Sequence, residues 1–324
     1  RTSERIVRRE LHTYPGDLFS RTNVIRSLRE LANLGYFEPE ELMRNGVRPE
    51  PNAQDGTVAM HYTVQEKQSD QFELSAGWGG GFFVFTVGVR FSNFSIGRIF
   101  DKDAWRPIPS GDGQSLSIRG TSNGSQYRAF NISFTEPWLG GYKPNNFTVS
   151  FYHSVYDYSK YIWRRSDDYF KITGGSIGLG TRLKWPDDYF TLYTEFTYQN
   201  YQLRNWKQDF LFSDGTANNM SVRVAWGRNS VDQPIYPRSG SNFTLSLQLT
   251  PPYSFFNGKD YTSPKMTPQE RYRWVEYHKW TARAQWYTTL VDDLVLYFNG
   301  QFGFLGFYNK KVGYSPFEGF DLGG

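Results

Sequence analysis

The chain has 324 residues, 36 basic against 32 acidic for a formal net charge of +4, and no cysteine. These numbers exclude a disulfide framework and cysteine-based metal or redox chemistry, and the mixed, unclustered charge gives no footprint for nucleic acid. Mean hydropathy is −0.62 although aromatics reach 19%, and there is no run of about 18 apolar residues to make a transmembrane helix.

A transmembrane β-barrel reconciles low hydropathy with many aromatics, because half of every strand faces lipid and half a polar interior. No leader peptide opens the sequence, so the chain reads as a mature polypeptide or a piece of one.

Taken in order, residues 3–11 predict a short helix capped by Ser3, with Ile6, Val7 and Leu11 on one side. Tyr14-Pro15-Gly16-Asp17 is a turn. Ser20 caps a second helix in which Val24, Leu28 and Leu31 share a face, and Gly35 ends it. Two strands are expected next, about 37–47 and 57–66. Helix, helix, strand, strand leaves a two-stranded sheet, which is marginal alone, so a further strand upstream of Arg1 is expected. The outer edge of the 37–47 strand, with Phe37, Glu38, Glu41, Leu42 and Val47, is a candidate edge for holding another chain.

Period-two alternation then takes over. Phe72, Leu74, Ala76 and Trp78 alternate with Gln71, Glu73, Ser75 and Gly77. Gly79-Gly80-Gly81 reads as a turn, and Phe83, Phe85, Val87, Val89 and Phe91 follow on the return strand. About eleven strands are expected in all, the rest near 114–121, 127–135, 147–158, 171–185, 189–201, 219–228, 241–250, 277–289 and 294–308. If the N-terminal domain is periplasmic, the even-numbered connections return to that side and are short, whereas 157–170, 202–218 and 251–276 are long outer loops. Residues 92–113 break this rule. Either the register differs there or the loop is an insertion. Trp138, Trp185, Trp206, Trp226 and Trp286 lie near strand ends, as interfacial girdles require. Arg90, Arg119, Arg182, Arg223 and Arg283 are candidates to point inward.

Two G-x-S-x-G matches occur, at 120–124 and 174–178. A nucleophile elbow needs a strand-to-helix turn, and neither match is followed by a helix. The four histidines are scattered. The pairs Asp167-Asp168, Asp187-Asp188 and Asp292-Asp293 sit in turns, where turn chemistry explains them; Asp101 and Asp103 are a weak cation candidate. No catalytic residue, metal or cofactor is therefore expected.

Several segments resemble one family. Residues 1–68 resemble a POTRA domain in element order and in the LGYF and V-x-E-K endings. QFELSAGWG resembles the first barrel strand of the BamA-type outer-membrane assembly family, NFSIGR the turn after its second strand, and FTEPWLGG the end of its fourth. The strongest match is RNSVDQPIYPRSGSNFTLSL, which resembles that family's Asp-x-x-x-x-Pro-x-x-Gly turn, here Asp232, Pro237 and Gly240. YSPFEGFDLGG resembles the approach to the long sixth outer loop.

The resemblance implies a mostly β protein: an α+β POTRA domain over 1–68, then an antiparallel transmembrane barrel over 69–324 holding about eleven of about sixteen strands. It implies a bacterial outer-membrane location with the N-terminal domain in the periplasm. It implies folding and insertion of β-barrel clients through a lateral gate at Phe72, Glu73, Leu74, Ser75, Ala76, Gly77, Trp78 and Gly79. Unfolded clients, accessory periplasmic or lipoprotein subunits and outer-membrane lipid are the implied partners. A POTRA-bearing translocation pore is the main alternative, and a barrel enzyme acting on lipid a second.

Overall fold

Helix α1 spans Glu4–Arg9, α2 Arg21–Asn33 and α3 Pro39–Asn45, and the strands β1 (Val47–Asn52) and β2 (Thr57–Tyr62) pair antiparallel with Val47 opposite Tyr62. The computed structural model describes residues 2–79, 82–105, 108–124, 126–157, 167–187, 189–206, 212–232, 236–292 and 294–320. The chain divides into two units, Arg1–Glu73 with Gly88–Ser117, and Leu74–Val87 with Ile118–Gly324.

The first unit is built on Ile6, Leu28, Leu31, Tyr36, Phe37 and Leu42, all buried. Ser20 caps α2 by accepting from the Asn23 N–H at 3.4 Å, and Gly35 follows the helix at φ +74°, the left-handed conformation that such an end favours. Ser3 holds the cap position of α1 but its side chain makes no capping bond. Replacing Ser20 with alanine is expected to cost about 1 kcal/mol, read as roughly fivefold faster amide exchange across α2.

The strand expected at 37–47 is not there. Pro39 at the first turn, acidic Glu40 and Glu41 behind it and Arg44 in the last turn make this stretch a helix, since proline fits the first turn and the charges oppose the helix dipole. Phe37 and Glu38 precede α3. Phe37 makes only an isolated bridge to Glu66, Glu41 and Leu42 are helical, and Val47 starts β1.

The remaining strands are β3 (Gln71–Gly79), β4 (Phe82–Phe94), β5 (Gln114–Ser122), β6 (Tyr127–Glu136), β7 (Asn145–Asp157), β8 (Tyr169–Arg182), β9 (Phe190–Arg204), β10 (Gly215–Asn229), β11 (Gly240–Leu249), β12 (His278–Val291) and β13 (Leu294–Gly306). They form one eleven-stranded sheet in sequence order, with β3 and β13 at its edges. The eleven expected strands are thus all present. Gly80 and Gly81, expected as the first turn, lie outside the described residues.

Every described ladder is antiparallel, and its register sorts the side chains into two faces. One row runs Phe134, Val149, Ile177, Phe196, Val222 and Leu249; the adjacent-parity row runs Ser133, Ser150, Ser176, Thr197 and Ser221. The first face is apolar and exposed, which in water would be a severe liability and in lipid is the requirement. Arg182, Arg223 and Arg283 share the polar face by parity.

On that polar face β8 is bare at Gly174 and Gly178 so that two tyrosines can lie across it. A Cβ at Gly174 would stand 2.6 Å from the Tyr152 ring and 2.9 Å from the Tyr198 carbonyl oxygen; one at Gly178 would stand 2.2 Å from the Tyr193 hydroxyl.

The connection β4–β5 is long, as the sequence indicated, and its described residues are hydrogen-bonded to one another. Ser95 N donates to the Pro109 carbonyl at 3.0 Å and Gly111 N to the Asn93 carbonyl at 2.9 Å. Its base is tied to the first helix, with Ser3 N donating to the Gly111 carbonyl at 2.8 Å and Asn93 Nδ2 to Thr2 Oγ1 at 2.9 Å. The β11–β12 connection is also folded, with short helices α4 (Tyr253–Phe256) and α5 (Pro268–Arg271). It sends Tyr261, Tyr272, Val275 and Tyr277 into a second core with Phe170, Tyr201, Leu203 and Phe212.

Candidate functional site

Two features of the sheet carry chemistry, its first edge and its polar face. On β3 all residues from Gln71 to Trp78 are exposed, with Phe72 at 73% and Trp78 at 76%. The expected gate residues Phe72, Glu73, Leu74, Ser75, Ala76, Gly77, Trp78 and Gly79 therefore all fall on one strand, and that strand is an edge. A nine-residue edge strand offers about four outward peptide groups to a newcomer, because alternate residues direct N–H and C=O the same way. Its apolar side chains at 72, 74 and 78 oppose polar ones at 71, 73 and 75, so an added strand with the same alternation extends both faces of the sheet.

On the polar face a segment after β13 is held by a network. The Glu318 carboxylate accepts from Tyr277 OH at 3.1 Å, Asn219 Nδ2 at 3.3 Å and Lys279 Nζ at 3.3 Å. Lys279 also donates to the Gly319 carbonyl at 2.7 Å and lies 4.9 Å from the Phe320 ring centroid. Gln248 donates to Tyr277 OH at 2.8 Å and to Ser221 Oγ at 3.0 Å. Phe317 stacks on Tyr201 at 4.6 Å. This arrangement holds no activated nucleophile. It is a latch, in which one carboxylate gathers donors from β10, β12 and the residue before β12. The sequence reading missed it, because its members are spread over 100 residues and meet only through strand register.

The described residues of the turn expected at Asp232, Pro237 and Gly240 are tied to one another by hydrogen bonds. Asp232 accepts from Arg238 N at 3.1 Å, and Asp232 N donates to the Ser239 carbonyl at 3.2 Å. Arg228 crosses beneath it, donating to Asp187 at 2.9 Å, Ser230 Oγ at 2.7 Å and Ser241 Oγ at 2.8 Å. Residues 233–235, including Pro234, lie outside the described residues.

The N-terminal candidates do not assemble into an edge. Phe37 and Leu42 are core residues, Glu38 and Glu41 flank or enter α3, and only Val47 is in a strand. Arg44 and then Asn45 hydrogen-bond Glu41 and hold its carboxyl below the ordinary carboxylate range. The actual edge strand β1 carries Pro49 and Pro51, which removes two donors and suits an edge closed to pairing.

Of the G-x-S-x-G serines, Ser122 ends β5 and Ser176 lies inside β8, bonded to Ser150 Oγ at 2.7 Å. Asp101 accepts from its neighbour's Asp103 N–H, and among the described residues no three His, Cys, Asp or Glu side chains gather. Asp187 accepts from the Tyr189 N–H, turn chemistry as expected; Asp188 and Asp293 lie outside the described residues.

Residues 110–324 match the Omp85 superfamily domain, and residues 1–67 match the POTRA family described as a surface antigen variable number repeat. A curated relative, the outer membrane protein assembly factor BamA of Neisseria meningitidis, is 23% identical over the whole of this chain, which spans 37% of that protein. Among solved structures, BamA from Haemophilus ducreyi lacking POTRA domains 1–3 matches with a TM-score of 0.61 at 18% identity, covering 98% of this chain and 55% of that one. CdiB from Escherichia coli matches at 0.53 and 13% identity, covering 96% and 53%. With an Omp85 match over most of its length and a POTRA repeat before it, the chain belongs to the Omp85 superfamily, whose barrel lies in the outer membrane with the POTRA domain in the periplasm.

Proposed function

We propose that this chain acts in the folding and insertion of β-barrel proteins into the outer membrane, with β3 as the edge on which client strands are templated. The observation that supports this is that β3 is the first strand of the sheet, nine residues long with two-faced alternation, so that whenever its outer side is open it presents a long edge. Backbone groups left unpaired in lipid cost several kcal/mol each, so such an edge captures any alternating strand through main-chain bonds while staying indifferent to its side chains. The driving force is then the client's own folding, and no nucleotide is needed. The similarity to an assembly factor supports this reading, as it supports unfolded clients, accessory subunits and lipid as partners.

These 324 residues contain no cysteine, so a cysteine introduced among them is the only thiol of this region. Single cysteines at each of residues 72–78 of the intact protein are paired with one cysteine in the terminal strand of an arrested client. Disulfides are expected along β3, strongest at every second residue. If they form instead at Ser150→Cys, Ser176→Cys and Ser221→Cys on the polar face and not on β3, the client passes through an interior channel and the translocation-pore reading replaces this one.

A further inference from the structure

The β4–β5 connection holds side chains that nothing described so far uses. Between Ser95 and Pro109 the chain makes two 3₁₀ turns, Ile96–Arg98 and Lys102–Ala104. Ile96 on the first turn, and Ile99, Phe100 and Trp105 beside the two, are exposed, Phe100 at 98%. Free loops do not usually hold such residues in place, but this one stands on a stiff neck. Phe94 bridges Ser110 and Trp105 bridges Pro109. Ile96 N donates to Gln114 Oε1 at 2.6 Å, and Gly113 N to Asn93 Oδ1 at 2.8 Å. The Ser95 hydroxyl bonds the Asp112 carboxylate.

Two of the knob's polar groups are bonded within it. Trp105 Nε1 donates to the Ile99 carbonyl at 3.0 Å, so the indole's one donor is satisfied and its ring presents only apolar surface. Asp101 caps the second turn. Arg98 and Lys102 remain exposed beside the aromatic tip. An apolar tip, a hydrogen-bonded indole N–H and a charged rim in which Asp101 and Asp103 accompany Arg98 and Lys102 suit a phospholipid interface.

Topology puts the knob where such an interface lies. β4 ends beside the start of β3, where Ser92 Oγ donates to the Ser69 carbonyl at 3.0 Å, and β3 is entered from the periplasmic domain. The connections β6–β7 and β8–β9 return to the same end of the sheet and carry exposed Tyr142 and Trp185. We infer that the 96–105 knob is a membrane anchor, inserting Phe100 and Trp105 into the glycerol region of the inner-leaflet phospholipid of the outer membrane. Because its base is bonded to Thr2 and Ser3, the anchor also ties the start of helix α1 to the bilayer surface.

The experiment uses the intact protein in vesicles of phosphatidylethanolamine and phosphatidylglycerol. A bimane is placed at Phe100→Cys, with Asp55→Cys at the β1–β2 turn as the aqueous reference and Phe196→Cys on the apolar sheet face as the deep one. Quenching at residue 100 is expected to be several-fold stronger with a lipid nitroxide near the headgroup than with aqueous iodide, and weaker with a nitroxide at the acyl terminus. Iodide quenching equal to that at residue 55 overturns the proposal. Shielding from both iodide and nitroxides overturns it too, and points to a protein lying over the knob. Ile96→Cys gives a second reporter, and adding Phe100→Glu to it is expected to lower its nitroxide quenching several-fold. No change on that substitution would mean that Phe100 anchors nothing.

Discussion

Replacing Gly240 with alanine is expected to destabilise the sheet by about 3–5 kcal/mol. Two costs add. Gly240 sits at φ +104°, where an L side chain is strained by about 1–3 kcal/mol. Its missing Cβ would also stand 2.2 Å from the Ser230 carbonyl oxygen and 2.8 Å from the Val231 Cα. Both are backbone atoms at the mouth of the β10–β11 hairpin, where Ser230 N donates to the Ser241 carbonyl at 2.9 Å, so relief must come from the ladder itself. Gly258→Ala is the internal control, since Gly258 is at φ +66° with nothing within 4 Å of a built Cβ. It should cost only about 1 kcal/mol. The measurement is the temperature at which the folded band is lost in semi-native electrophoresis. Equal shifts for the two variants would show that the close approach at Gly240 has no energetic weight.

Removing the Glu318 carboxylate should release the segment after β13. Its side chain is 15% exposed and that of its partner Lys279 21%, so Glu318→Ala leaves a mostly buried cation with one carbonyl and strips Tyr277 and Asn219 of their shared acceptor. The expected local cost is about 2–3 kcal/mol, a factor of roughly 30–150 in the opening equilibrium. Hydrogen exchange should rise over 307–320 and stay unchanged in β6 and β7. Glu318→Gln keeps acceptors for Tyr277 and Asn219 and should lose about half as much. The pair Glu318→Leu with Lys279→Met should recover much of the loss, because neither charge is then stranded. Uniform loss of protection across the sheet would mean that Glu318 supports the sheet generally and holds no separate latch.

The strands were readable because one face meets lipid and the other a polar interior, which writes strict period-two alternation into each segment, as at Phe147, Val149 and Phe151. The Asp232–Gly240 corner was readable because its turn chemistry is local: an aspartate six residues before the amide it caps, and a glycine where a carbonyl crowds in. The stretch from Phe37 to Val47 was misread because its apolar residues are too few to show a period. Its true signals, Pro39 at the first turn and acid-to-base ordering toward Arg44, are cap signals rather than face signals. The latch at Glu318 was not legible at all. Asn219, Tyr277 and Lys279 come together only once β10, β11 and β12 have been set in register, and no spacing along the chain encodes that.

The bareness of β8 sets what can be inherited there. At Gly178 the obstacle to a side chain is the far end of Tyr193, a group that a second substitution can shorten, so these two positions are free to drift as a pair and not singly. At Gly174 the obstacle includes the Tyr198 carbonyl oxygen, which no change of side chain removes. Across descendants of this sequence, residue 178 should therefore covary with residue 193, while residue 174 stays glycine whatever becomes of Tyr152.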